Sequence, residues 1–236
     1  MKRISLLRML AVCFLALPGC AEKKPVYGTE RQLFWPSPQR QVWAVAPAIN
    51  LSGQKQVDPL LQADLLYQQL QEVNGITAVP VNRVVEVYAS LRIEKVESPQ
   101  QAALVCSLLG CDGLVVPTVT AYDPYEPPKF GVSLQLLLGK GSLARPASVD
   151  IRELARQATP PKDEPLSPPR QGDFVQAVGM FDAANGTVRR DLMAFAAGRN
   201  DPAGAWGARE YLVNMDRYCG FVYHSLLRDL ISSATR

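Results

Sequence analysis

Alternation of apolar and polar positions is clearest in residues 129–138, KFGVSLQLLL, where Phe130, Val132, Leu134, Leu136 and Leu138 fall on one side of an extended chain. This pattern predicts a half-buried strand. Residues 112–122, DGLVVPTVTAY, form another strand-like run, and the linking DPYEPP carries Pro124, Pro127 and Pro128, so the two runs predict a hairpin with a stiff connection. Upstream, QVWAVAPAIN (41–50) sets Val42, Ala44, Ala46 and Ala48 against Trp43, Val45 and Pro47, which suits a first strand buried on both faces.

Helical spacing takes over elsewhere. Asp58-Pro59 reads as an N-cap followed by proline at the first helical position, with Leu61, Leu65 and Leu70 on the apolar face until Asn74-Gly75. ITAVPV (76–81) is a short strand, and Val84, Val87, Tyr88 and Leu91 then recur at i, i+3, i+4 and i+7. Ser98-Pro99-Gln100-Gln101 predicts a capping-box start for another helix that ends at Gly110. Residues 173–195, DFVQAVGMFDAANGTVRRDLMAF, are expected to form a second hairpin turning over 182–186. From Asp201-Pro202 a long terminal helix carries Tyr211, Met215, Cys219, Val222, Leu226 and Leu230 on one face. The order predicts an α/β fold, a mixed β-sheet flanked by helices with a long carboxy-terminal helix.

The amino terminus has a different character. Lys2, Arg3 and Arg8 precede an apolar run through Leu17, and Pro18-Gly19-Cys20 follows. The run is shorter than the about 20 residues a bilayer span requires, so it reads as an export signal. Leu17, Gly19 and Cys20 resemble a bacterial lipoprotein processing box, with Pro18 standing where small residues are usual. That resemblance implies cleavage before Cys20 and a covalent lipid on its thiol and amine, with no other cofactor. Two or three acyl chains make a durable anchor where one is marginal. Ala21 after the cysteine, in place of aspartate, implies the outer membrane and its periplasmic face.

The expected organisation is a signal peptide at 1–19, a lipidated tether at 20–40, a first part of the domain at 41–138, a proline-rich flexible insertion at 139–172, and a completing part at 173–236. Loss of the signal removes Lys2, Arg3 and Arg8 from the 25 Lys+Arg, leaving 22 against 22 Asp+Glu. A mature chain near neutrality gives no footing for nucleic-acid binding. Cys106, Cys111 and Cys219 remain beyond the anchor; an odd number permits one disulfide and a free thiol, or three buried packing residues.

Chemistry is sparse. The single histidine, His224, sits at helical spacing among apolar residues, no Cys/His/Asp/Glu cluster has metal-ligand spacing, and no phosphate loop follows a strand. The chain is therefore expected not to be an enzyme. Tyr122, Asp123, Tyr125 and Glu126 gather in the proline-rigid loop, which can serve as a structural turn, a carboxylate dyad, or a recognition tip presenting two aromatics at low entropic cost.

Three stretches, VWAVAPAINLSGQKQVDPLLQADLLYQQL, VVPTVTAYDPYEPPKFGVSLQLLL and MFDAANGTV, resemble envelope lipoproteins whose domain is similar to the curli-secretion CsgG protein and the amino-terminal domain of TolB. Asn50-Leu51-Ser52-Gly53, Leu109-Gly110-Cys111-Asp112 and, loosely, Ala184-Asn185-Gly186-Thr187 carry the resemblance, which spans 41–236 outside the insertion. It implies a non-enzymatic scaffold or accessory factor that contacts other envelope proteins or itself, or else an oligomeric subunit of an export complex. A pore is disfavoured, because only 129–138 alternates as a barrel strand must.

Overall fold

The computed structural model describes residues 32–138, 174–201 and 203–234. The signal, Cys20, the first part of the tether and the insertion at 139–172 lie outside them.

One mixed sheet organises the molecule. Its strands are β1 (Gln41–Val45), β2 (Ile49–Asn50), β3 (Ile76–Val79), β4 (Gly113–Asp123), β5 (Lys129–Leu138) and β6 (Phe174–Asp182), in the order β3-β1-β4-β5-β6 with β2 also against β4. The pairings of β1 with β3 and β4 are parallel, whereas β4, β5 and β6 run antiparallel. The helices are α1 (Pro59–Gln71), α2 (Val81–Leu91), α3 (Pro99–Leu109), α4 (Gly186–Ala196), α5 (Glu210–Val213) and α6 (Met215–Ala234).

Strand alternation distributes the core over two faces. Trp43 and Val45 of β1, with Phe130, Val132, Leu134 and Leu136 of β5, point to one side, where α1, α4 and α6 cover them. Ala44, Leu114 and Val116 point to the other side, against Val84 and Tyr88 of α2 and Val105 and Cys106 of α3. The first strand is thus buried on both faces as its pattern predicts, although it breaks at Ala46–Ala48 into two short pieces. On the larger face the Tyr223 hydroxyl donates to Gln62 Oε1 at 2.8 Å, a buried bond joining α6 to α1. His224 is buried there too, its ring 4.9 Å from Phe195.

The helix starts follow the side chains that satisfy them. Asp58 Oδ1 accepts from the amides of Leu60 and Leu61, and Ser98 Oγ from that of Gln101. The arm before β1 joins the sheet edge: Trp35 N donates to the Asn74 carbonyl at 2.8 Å, and the Trp35 ring meets Trp43 edge-on at 5.2 Å.

Two expectations need correction. Residues 173–195 do not form a hairpin: β6 ends at Asp182, and Asn185 then caps α4 by accepting from Thr187 N at 2.8 Å. Val188, Leu192, Phe195 and Ala196 recur at helical spacing, and that periodicity outweighs the Asn-Gly turn signal. The long terminal helix starts at Met215 and not near 201. Asp201 Oδ1 caps only a local turn at Ala203 N, a one-turn α5 follows, and Asn214 accepts from the amides of Asp216 and Arg217 to start α6.

Candidate protein-recognition surface

The β4–β5 connection projects beyond the sheet, and its base is clamped from two sides. Asp123 pairs in register with Lys129, while Lys129 Nζ lies 2.9 Å from Asp182 Oδ2 at the end of β6. The Pro128 carbonyl accepts from Ala183 N at 3.0 Å, so the loop is bound to the β6–α4 turn as well. The Lys129–Asp182 pair raises the lysine and lowers the aspartate, each chiefly through their mutual hydrogen bond.

Within this frame the four candidate residues separate by role. Tyr122 turns inward, edge-on to Phe130 at 6.1 Å, and burial pushes its hydroxyl up to about 12. It is a packing residue. Asp123 Oδ1 accepts from Tyr125 N at 3.2 Å, which shapes the loop. Tyr125 stands 79% exposed at the tip. Glu126 holds Arg209, whose Nη2 lies 3.2 and 3.1 Å from its two carboxylate oxygens. The structure therefore does not give the two tyrosines a common exposed face, and it commits the two carboxylates to separate structural tasks.

Arg209 leads to a residue that the sequence pattern conceals. Its guanidinium lies 5.7 Å from the ring centroid of Trp206, which is 56% exposed. Trp206 sits in GAWGAR (204–209), where successive turns close as Gly204 N donates to the Asp201 carbonyl, Gly207 N to the Gly204 carbonyl and Arg209 N to the Trp206 carbonyl. Reading 201 onward as continuous helix hides it. A lone tryptophan between small residues and two glycines is the signal that marks a displayed ring. Glu126, Arg209 and Trp206 are thus linked through the ion pair and the guanidinium–ring approach, and the exposed Tyr125 is the chain neighbour of Glu126. Tyr, Trp and Arg are the side chains that most often carry binding energy at protein interfaces.

The remaining features offer less. A groove of about 810 Å³ lies elsewhere, lined by Gln69, Glu72, Phe195, Arg199, Asn214 and Arg217 among others, and none of residues 122–126 reaches it. Among the described residues no group of three His, Cys, Asp or Glu could hold a metal ion, and no helix is long and apolar enough to cross a membrane.

No protein-family model matches the chain, and no curated protein shows significant sequence similarity to it. Several solved structures are similar in shape. The C-terminal domain of LpoB from Salmonella enterica has a TM-score of 0.36 at 13% identity, covering 44% of this chain and 75% of that one. Lipoprotein GNA1162 from Neisseria meningitidis gives 0.32 at 16%, over 43% and 71%. PelC from Paraburkholderia phytofirmans, solved as a dodecamer, gives 0.32 at 10%, over 83% and 87%. At these identities and scores, none of the three assigns this chain to a family.

Proposed function

We propose that the chain is a lipid-anchored envelope protein, held through Cys20 at the periplasmic face of the outer membrane, that works as a non-enzymatic scaffold or accessory factor through protein contacts. The carrying observation is that the segments displaying Tyr125 and Trp206 are joined by the Glu126–Arg209 pair, with Arg209 against the Trp206 ring and the loop base tied to β6 by Lys129–Asp182. An aromatic displayed on a stiff support loses little entropy on binding, which is what a contact surface needs. The carboxylates support this reading over hydrolysis, since Asp123 shapes the loop and Glu126 is occupied by Arg209. The signal-like amino terminus supplies the anchor.

Affinity recovery of crosslinked envelope partners tests the surface. Truncating a central aromatic anchor removes at least about 2 kcal/mol, roughly 30-fold in affinity. Tyr125→Ala and Trp206→Ala are each expected to cut partner recovery on that scale, whereas Asp123→Asn, which keeps the Oδ1 acceptor for Tyr125 N, leaves it largely intact. Undiminished recovery with both aromatics removed would refute the proposed surface.

A further inference from the structure

Helix α3 ends by wrapping its last carbonyls around a left-handed glycine. Gly110 has φ of 66°, its amide donates to the Ser107 carbonyl at 3.4 Å, and the Cys111 amide donates to the Cys106 carbonyl at 3.0 Å. This cap brings the side chain three residues before the helix end onto the one just past the glycine, a contact that apolar residues ordinarily fill. Here both are cysteines, 2% and 8% exposed in one core cluster, and both are free thiols in this structure. With standard bond lengths, a 3.0 Å backbone bond keeps the two α-carbons within about 7 Å, the reach of a disulfide. Cys219 lies in the core on the opposite face of the sheet and cannot compete.

We propose that Cys106 and Cys111 are joined by a disulfide in the mature protein, with Cys219 as the free thiol. The inference rests on the export reading of residues 1–20, because an oxidising compartment supplies what the bond requires. The oxidant is a thiol oxidoreductase carrying a disulfide. One cysteine thiolate attacks that disulfide and forms a mixed disulfide, releasing one oxidoreductase sulfur as thiolate. The second cysteine, deprotonated, displaces the other. Two thiols lose two electrons and two protons, and the donor leaves as a dithiol. In the folded chain the hydrogen bond to Cys111, and then burial, hold the Cys106 thiol well above its ordinary range, so thiolate is scarce there. The disulfide pins the chain where Asp112 Oδ2 accepts from Val42 N at 2.8 Å, locking α3 to the junction of β1 and β4.

The test uses full-length protein made with its own signal, denatured with an alkylating agent and no reductant, then digested with trypsin. Cys106 and Cys111 fall in one peptide, 96–129, and Cys219 in another, 218–228. The expected result is a 96–129 peptide without alkyl groups that accepts two only after reduction, beside a singly alkylated 218–228. A 96–129 peptide alkylated at both positions without reduction, or a crosslink to Cys219, overturns the proposal. The amino-terminal peptide of the same sample judges export separately: acylated Cys20 with two alkylated thiols sinks the disulfide alone, and an unprocessed terminus with the disulfide present sinks export alone. As a second readout, dithiothreitol should lower the wild-type Tm by about 4–8 °C, as expected for closing so short a loop. The Cys106→Ala/Cys111→Ala variant should not respond to it; a wild type equally indifferent to the reductant counts against the bond.

Discussion

Among the described residues Tyr125, Trp206 and Phe34 are the large rings that stand exposed, whereas Trp43, Tyr218, Tyr223, Phe130 and Phe221 are buried. Removal of Tyr125 or Trp206 costs the folded state little, since the surface around them already faces water; each alanine variant should keep its unfolding midpoint within the change of about 0.5 kcal/mol typical of surface sites. Loss of partner recovery at unchanged Tm then belongs to the contact and not to the fold. Tyr223 behaves oppositely. Tyr223→Phe leaves the Gln62 carbonyl without its hydroxyl partner inside the core, at a cost of about 1–3 kcal/mol measurable by urea denaturation.

Two titrating groups link stability to pH in opposite directions. Tyr122 has a raised folded value, so the native state holds its proton more tightly than the unfolded chain does. The stability it contributes is full below pH about 10 and is lost as pH climbs to about 12. Asp182 has a lowered folded value through Lys129 and Ala184 N, so its contribution is present above the ordinary carboxylate range of about 4 and is lost as pH falls through the lowered value. In thermal melts across pH, Tyr122→Phe should remove one share of an alkaline loss to which the raised Tyr88, Tyr218 and Tyr223 also contribute, and Asp182→Asn the small share of one exposed ion pair on the acid side. At this scale the sequence reveals the loop and its stiffness but not its division of labour. Tyr122 and Tyr125 look equivalent in DPYEPP and its flank, and only strand register sends one inward.

Elements are held by a few local decisions. Gly131 faces the point where β4 shifts register between Val119 and Ala121, and a β-carbon there would lie 2.8 Å from Met180 Cε, 2.9 Å from Thr120 Oγ1 and 3.1 Å from Ala121 Cβ. The Met180 terminus can swing aside, while the shifted strand cannot follow easily. Gly131→Ala should therefore cost about 1–3 kcal/mol in chemical denaturation. Ser98→Ala removes the acceptor for the Gln101 amide and should cost about 1 kcal/mol, felt first as fraying of α3 in hydrogen exchange. Both caps and the central hairpin are legible from sequence because each depends on residues a few positions apart. The β6–α4 connection is misread because Asn185-Gly186 satisfies two grammars at once. Asn185 at φ −73° is an ordinary helix cap, and only the spacing of Val188, Leu192 and Phe195 distinguishes it from a hairpin turn.

For the whole molecule, the alternation of Trp43 and Ala44 across the sheet sets up two cores, and the helices follow from which face each strand residue joins. That layering can be read from the period-2 and period-3.6 patterns. The surface cannot, because the patch joins residues 125–126 to 206–209, segments brought together only after β6, α4 and the turn at 203–207 have folded. A long-range ion pair leaves no local periodicity to find. The fold thus joins the β4–β5 connection to the glycine-bounded tryptophan segment through the Glu126–Arg209 pair, and on the proposed function the amino terminus would hold that surface at a membrane.

The most direct test of that assignment is the native and intact mass of the full-length protein extracted from membranes in mild detergent, compared with the Tyr125→Ala/Trp206→Ala variant. The account predicts a chain that begins at an acylated Cys20, that runs in a complex above its own mass, and that falls to the monomer in the variant at an unchanged Tm. An unlipidated chain, or a variant that keeps the wild-type complex, would contradict it.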